Sequence, residues 1–219
     1  MRNKVDYCGA AVLWLMFIGL AVSVIHHASW VGAIDTMMAQ AMGAPSANNI
    51  TLFNVIAFLG SPMVSLSLTF VLCVYLWFRR GPALSLWAAG MQYGGSALVE
   101  VVKQIVARHR PVHELLPDTG YSFPSGHVFC TTILVLTLLM VFLPGIKDQE
   151  VGLVAVLMGV VWVGLVATSR LYLAQHFATD LAGSVLIAGA LWLTLRPART
   201  PVMAFVDDHL PARLQRSAH

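Results

Sequence analysis

Apolar runs of membrane-crossing length recur along this chain, separated by short polar links. Six can be drawn, roughly Cys8–Ile25, Pro62–Phe78, Pro82–Val106, His127–Leu143, Val151–Thr168 and Phe177–Leu195. About 20 apolar residues in a helix cross about 30 Å of hydrocarbon. Inside lipid, every backbone N–H and C=O must be paired within the segment or its bundle. The pattern therefore predicts an all-α integral membrane protein with six transmembrane helices. Composition agrees: 58% of the 219 residues are hydrophobic and only 11% are charged, against about a quarter charged in soluble domains. The formal net charge of +3 contains no basic block, so nucleic acid is not an expected partner.

The N-terminal run follows a basic start and is too long for a secretory signal, so it reads as an uncleaved first span. The link His26–Ser61 is different. Its second half, NITLFNVIAFLGSP, is apolar but short of a full span, which suggests an interfacial or re-entrant helical segment between helices 1 and 2. Residues 1–195 are expected to form a single membrane domain and 196–219 a polar cytoplasmic tail. Cys8, Cys73 and Cys130 lie in or beside apolar runs and read as small hydrophobes.

The cations set an orientation. With the N-terminus cytoplasmic, Arg2, Lys4, Arg79, Arg80, Lys147, Arg196, Arg199, Arg213 and Arg216 lie inside, and Lys103, Arg108, Arg110 and Arg170 outside. That distribution follows the positive-inside rule. The four outer cations oppose the bias, and an anionic ligand would account for them.

Three clusters fall on that outer side. KQIVARHRP places Lys103 and Arg110 seven apart, on one helical face if the helix runs on to Pro111. Snorkelling interfacial cations are the bland alternative. Pro124-Ser125-Gly126-His127 opens a helix whose free amides make an anion site; a plain helix cap with an incidental histidine is the alternative. SRLYLAQHFATD carries Arg170, His176 and Asp180. The last two are four apart, so a helical turn brings them together. There a carboxylate on one imidazole nitrogen leaves the other free to attack. A buried polar pair fastening two helices is the alternative.

Together the clusters suit phosphoryl transfer. Arg and Lys grip a tetrahedral oxyanion. Of two histidines, one attacks phosphorus and the other protonates the leaving oxygen. No Walker loop, acidic metal box or Cys-His metal spacing is visible, so no metal or cofactor is expected. The transition-state charge then falls on cations and amides. Arg108, His109 and His113 read as solvated loop residues, with a second phosphate or lipid headgroups as the alternative. Glu100 reads as a structural partner of Lys103.

These residues resemble the signature of the type 2 phosphatidic acid phosphatase family, K-x6-RP, PSGH and SR-x5-H-x3-D, matched here by Lys103 and Arg110-Pro111, by Pro124 to His127, and by Ser169-Arg170, His176 and Asp180. The resemblance implies a metal-independent membrane lipid phosphatase. It implies His176 as the nucleophile forming a phosphohistidine, Asp180 as its orienting partner and His127 as proton donor. Lys103, Arg110, Ser125, Gly126 and Arg170 would hold the phosphate. The compact length resembles bacterial enzymes acting on undecaprenyl diphosphate, phosphatidylglycerophosphate or lipid A phosphates, and an outward-facing site favours the first. The implied partners are the lipid phosphate and the surrounding membrane lipids; oligomeric state is left open. A phosphotransferase with the same intermediate, or a lipid-phosphate transporter that does not cleave, are the rival readings.

Overall fold

A computed structural model describes residues 2–112, 114–197, 199–200 and 203–205, with side chains from Lys4 onward. All the regular structure among them is helical: α1 (Arg2–Ile25), α2 (Ser29–Ala41), α3 (Ala47–Leu59), α4 (Pro62–Arg79), α5 (Pro82–Ala89), α6 (Gly95–Val106), α7 (Gly126–Phe142), α8 (Gln149–Tyr172) and α9 (Ala178–Leu195). Most of the tail expected at 196–219 lies outside the described residues.

The helix starts follow local chemistry. Ser61 caps α4, accepting from Val64 N at 3.3 Å, with Pro62 in the first turn. Asp148 caps α8, accepting from Glu150 N at 2.8 Å and Val151 N at 3.3 Å. Such caps satisfy amides that the helix itself leaves unpaired and contribute about 1 kcal/mol each. Gly81 precedes α5 at φ 97°, a conformation that favours a residue without Cβ.

Five stretches among the described residues are long and apolar enough to cross a membrane: Lys4–Ile25, Ala47–Arg79, Gly126–Gly145, Gln149–Tyr172 and Ala178–Leu195. The remaining expected span, Pro82–Val106, is a composite. Gly90–Gly94 forms a π-helical turn between α5 and α6. Three glycines there (Gly90, Gly94 and Gly95) lower the preference for regular α-helix. The buried Gln92 within the turn donates to Cys130 O of α7 at 3.2 Å. The apolar link between the first two expected spans forms α2 and α3, and α3 runs directly into α4 through Gly60 and Ser61.

α9 is the central post, packed against α1, α7 and α2. It runs antiparallel to α1. Asp6 pairs with Arg196 at 3.6 Å, Trp14 Nε1 donates to Thr194 Oγ1 at 3.0 Å, and Phe17 stacks on Phe123 just before α7. Small residues permit the close approach, as in membrane bundles generally. A Cβ on Gly183 would lie 2.6 Å from the Phe123 ring, and one on Gly189 3.0 Å from Leu13. Large exposed hydrophobics lie along α1, α4 and α8, the faces available to lipid. The end of the bundle that holds the end of α6, the start of α7, the end of α8 and the start of α9 also receives α2 and α3. Tyr172 Oη accepts from Ser46 N at 3.0 Å, and Thr131 Oγ1 donates to Gly60 O at 3.1 Å.

Candidate active site

Lys103 lies in the last turn of α6, which ends at Val106. Ala107 then adopts the left-handed conformation, φ 48° and ψ 35°, with its N–H donating to Lys103 O at 2.8 Å. Arg110 therefore does not continue the helical face of Lys103, contrary to the seven-residue spacing, and Pro111 is not what stops the helix. The chain reverses four residues earlier. A left-handed alanine costs about 1–2 kcal/mol. The contacts that offset this cost come from the next residue: Arg108 Nη1 donates to Asp180 Oδ1 at 2.6 Å, and Nη2 to Asp35 Oδ2 at 2.5 Å. Arg108 is thus not the solvated loop residue the sequence suggested. His109 is exposed and lies edge-on to Tyr121, and His113 lies outside the described residues. Glu100 accepts from Gln104 at 3.0 Å and lies within electrostatic reach of Lys103, the partner the sequence suggested.

The loop that follows carries Arg110 across to the α8–α9 turn. Its guanidinium donates to Gln175 O at 2.8 Å, Thr119 O at 2.9 Å and Gly120 O at 3.0 Å, and Nη1 lies 3.3 Å from His176 Nε2. Leu115 N donates to Leu173 O at 3.0 Å, and Gln175 Nε2 to Leu116 O at 3.0 Å, tying loop to turn.

His176 and Asp180 meet, but not along a helix. α8 ends at Tyr172, Ala174 is left-handed (φ 52°), and α9 begins at Ala178. His176 precedes the cap residue Phe177, and Asp180 sits in the first turn, where Oδ2 accepts from Phe177 N at 2.9 Å. That oxygen is also 3.5 Å from His176 Nδ1, a loose ion-pair distance rather than a full hydrogen bond. With Nδ1 toward the carboxylate, Nε2 presents its lone pair to the space shared with Arg110. Complete burial holds the His176 pKa down to about 4, with the Asp180 carboxylate opposing and Arg170 and Arg110 reinforcing. The imidazole is therefore neutral near pH 7.

Ser125 is the N-cap of α7, and Gly126 and His127 form its first turn. Pro124 lies one residue outside the cap. Ser125 is bolted to α9: its carbonyl accepts from Ser184 Oγ at 3.0 Å. Gly126 faces Pro62 with room for closer approach, a Cβ there lying 3.6 Å away. His127 is close enough to Arg170, His176, Asp118 and Lys103 to feel their charges. Lys103 is likewise within electrostatic reach of Arg110, Asp118 and Arg170. All eight candidate residues thus gather at one end of the bundle.

None of the three sequence clusters contains Asp118, yet it lies among them. Its Oδ2 bonds Arg170 Nη2 and lies 3.1 Å from Arg110 Nη1, while Oδ1 accepts from Thr119 N at 2.8 Å. Burial would raise its pKa. Arg110, the Thr119 amide, Arg170 and His127 outweigh this and hold the carboxyl below its ordinary range. An internal anion thus bridges two cations of the cluster. Buried polar atoms nearby remain without a protein partner: Ser125 Oγ, Arg170 Nε and His176 Nδ1. Ser125 Oγ and Arg170 Nε are unpaired donors beside a helix N-terminus, the donor set an oxyanion needs. Among the described residues no His, Cys, Asp and Glu group has metal-binding geometry.

Comparison with known proteins agrees with this architecture. Residues 83–202 match the PAP2 superfamily. Phosphatidylglycerophosphatase B of Bacillus subtilis (strain 168) is 29% identical over 179 residues, covering 78% of this chain and 85% of that protein. The fold is similar to the crystal structure described as the first transmembrane PAP2-type phosphatidylglycerolphosphate phosphatase from Bacillus subtilis. Its TM-score is 0.72 at 23% identity, over 94% of this chain and 99% of that one.

Proposed function

The chain belongs to the PAP2 superfamily and is a membrane lipid phosphatase; on that premise we propose that it works without a metal, through a covalent phosphohistidine on His176. The observation that carries this reading is the position of His176 Nε2, 3.3 Å from Arg110 Nη1, with Nδ1 turned toward Asp180. A lone pair beside a guanidinium is where a bound phosphoryl group would meet its nucleophile.

The lipid phosphate displaces the Asp118 carboxylate from between Arg110 and Arg170. Those two residues, Lys103 and the first amides of α7 then neutralise its oxygens. His176 Nε2 forms a bond to phosphorus as the bond to the leaving oxygen breaks, and His127 protonates that oxygen. Asp180 stabilises the positive charge that develops on the imidazole. Water, deprotonated by His127, then cleaves the N–P bond and regenerates the free imidazole and orthophosphate. Lateral access would keep the acyl or prenyl chains within the bilayer throughout.

The site faces outward and both chain ends are cytoplasmic in this reading, supported by the cation distribution. Asp6 and Arg196 join the start of α1 to the end of α9, at the end of the bundle away from His176. An outward site favours undecaprenyl diphosphate. The name of the Bacillus subtilis relative favours phosphatidylglycerophosphate, and phosphatidic acid is the simplest monoester. Phosphate release from these three lipids, compared in detergent micelles, is the test. Orthophosphate should appear with at least one lipid and disappear with His176→Ala. Binding without release would leave only the transporter reading, and transfer of label to a second lipid would establish a phosphotransferase.

A further inference from the structure

We propose that Arg108, itself anchored by Asp35 of α2, is a positioning residue that aims the Asp180 carboxylate at His176. This rests on the phosphohistidine reading above and adds a component which that reading does not contain.

Arg108 differs from Arg110 and Arg170 in what holds it. Arg110 donates to backbone carbonyls and, with Arg170, meets the partly exposed Asp118, whereas Arg108 joins two buried carboxylates: Nη1 donates to Asp180 Oδ1 at 2.6 Å and to Thr179 Oγ1 at 2.8 Å, and Nη2 to Asp35 Oδ2 at 2.5 Å. Its guanidinium carbon sits 4.0 Å above the Phe177 ring. Two carboxylates and an aromatic face thus hold its charge, and both terminal nitrogens donate within the protein.

The consequence for Asp180 is geometric. Oδ2 faces both Phe177 N and His176 Nδ1, at 2.9 Å and 3.5 Å. The torsion of the carboxylate about its own bond is then set by what holds Oδ1, and that is Arg108. A carboxylate held at one oxygen only could rotate away from the imidazole, since its His176 contact is the weakest of the set. The fork also compensates a buried negative charge. Asp180 is fully buried and Asp35 nearly so, at 0% and 5% exposed, and removing one partner from such a buried charge network leaves uncompensated charge.

Asp35 fixes the fork in turn. Its Oδ1 accepts from Thr179 N at 2.9 Å and from Thr179 Oγ1 at 2.9 Å. It thereby caps the first turn of α9 from another helix while its second oxygen holds Arg108. The link 26–61, to which the motifs assign no role, thus contributes to the site. Its helix α2 brings in the acid that completes the chain Asp35–Arg108–Asp180–His176. Lysine would keep the charge at residue 108, but a single ammonium cannot span both carboxylates in the plane the fork imposes.

A cavity of about 340 Å³ beside this chain is lined by Gly32, Asp35, Gln40, Arg108, His176 and Phe177, so shorter side chains are accommodated without clash. The test uses the full chain purified in detergent, with Arg108→Lys, Arg108→Gln, Asp35→Asn and Asp180→Asn. The readouts are kcat, KM, competitive inhibition by orthophosphate and melting temperature. Loss of one charge-assisted contact from the positioning chain should lower kcat about 10- to 100-fold in Arg108→Gln. KM and the inhibition constant should stay within about twofold, because ground-state phosphate contacts are untouched. Arg108→Lys should recover part of the loss. In an Asp180→Asn background, Arg108→Gln should cost less than about twofold, as residues acting through one group are non-additive. An unchanged kcat in any folded Arg108 variant would overturn the proposal. So would a loss expressed wholly in phosphate affinity, or full additivity with Asp180→Asn. If Arg108→Gln fails to fold, Arg108→Lys and Asp35→Asn carry the same comparison. Wild-type turnover that vanishes in His176→Ala tests the underlying reading separately; an inactive wild type would sink that reading and the inference with it.

Discussion

Replacing Asp118 by asparagine removes an anion from between two guanidinium groups while keeping the side chain's size. Its Oδ2 lies between Arg110, at 3.1 Å, and Arg170. In the proposed mechanism a substrate phosphate breaks both contacts before it binds. Hydrogen bonds to charged groups are worth about 1.5–3 kcal/mol net, so the pair represents about 3–6 kcal/mol. Most of this returns on displacement, because the Asp118 side chain is 26% exposed and regains hydration, while the loop regains freedom. A residual closed-state preference of about 1–2 kcal/mol corresponds to an open fraction of roughly 3–20% and a matching penalty on apparent affinity. Asp118→Asn should therefore tighten competitive inhibition by orthophosphate or vanadate about 5- to 30-fold. Asparagine can still accept from Thr119 N, so the loop should keep its turn. The carboxyl is held below its ordinary range and stays ionised from about pH 5 to 8. The ratio of wild-type to variant inhibition constants should be flat across that window. It should shrink only when pH falls through the depressed pKa, where the wild-type carboxyl protonates and lets go. An inhibition constant that is unchanged or weaker in the variant would refute the competition and make Asp118 part of the binding cradle.

Other expectations follow from the same geometry. His176→Ala should abolish turnover and any acid-labile phosphoenzyme while leaving the melting temperature near that of wild type; near-normal hydrolysis would remove His176 from the mechanism. Because burial holds the His176 pKa down to about 4, the neutral nucleophile persists as pH falls from 7 to 5. The acid limb of kcat/KM from this group should therefore lie near 4, and a midpoint near 6.5 that follows His176 would contradict it. Gly183→Leu forces a side chain into the Phe123 ring, which a Cβ already approaches to 2.6 Å. It should destabilise the protein by about 1–3 kcal/mol or more, read as a lowered melting temperature in detergent. EDTA should leave the rate essentially unaltered; inhibition that magnesium reverses would overturn the metal-free chemistry.

The all-helical membrane character was legible because hydropathy is a local property repeated over many residues, and single substitutions do not erase it. The three polar clusters were legible for a related reason, since ionisable residues beside apolar runs are costly enough to demand an explanation. The local geometry inside the clusters was less so. Lys103 and Arg110 looked like one helical face, yet Ala107 turns the chain back with no glycine or asparagine to signal it. His176 and Asp180 looked like one turn of helix, yet the histidine stands outside α9 and the acid reaches back from the first turn. The lone acid Asp35, in an otherwise apolar stretch, was a signal that it required a partner.

From the sequence alone came the solvent this protein lives in, its helical character and the polar clusters that meet at one end of the bundle. Those are matters of composition and spacing along the chain. Only the tertiary structure decided which cations gather beside His176 and which are held by buried acids. Arg108 and Arg110 are two residues apart and identical in chemistry. One is claimed by Asp35 of α2 and Asp180 of α9, and the other lies beside His176 and Asp118. The division depends on where distant helices deliver their counter-charges, and no local pattern around either arginine encodes that.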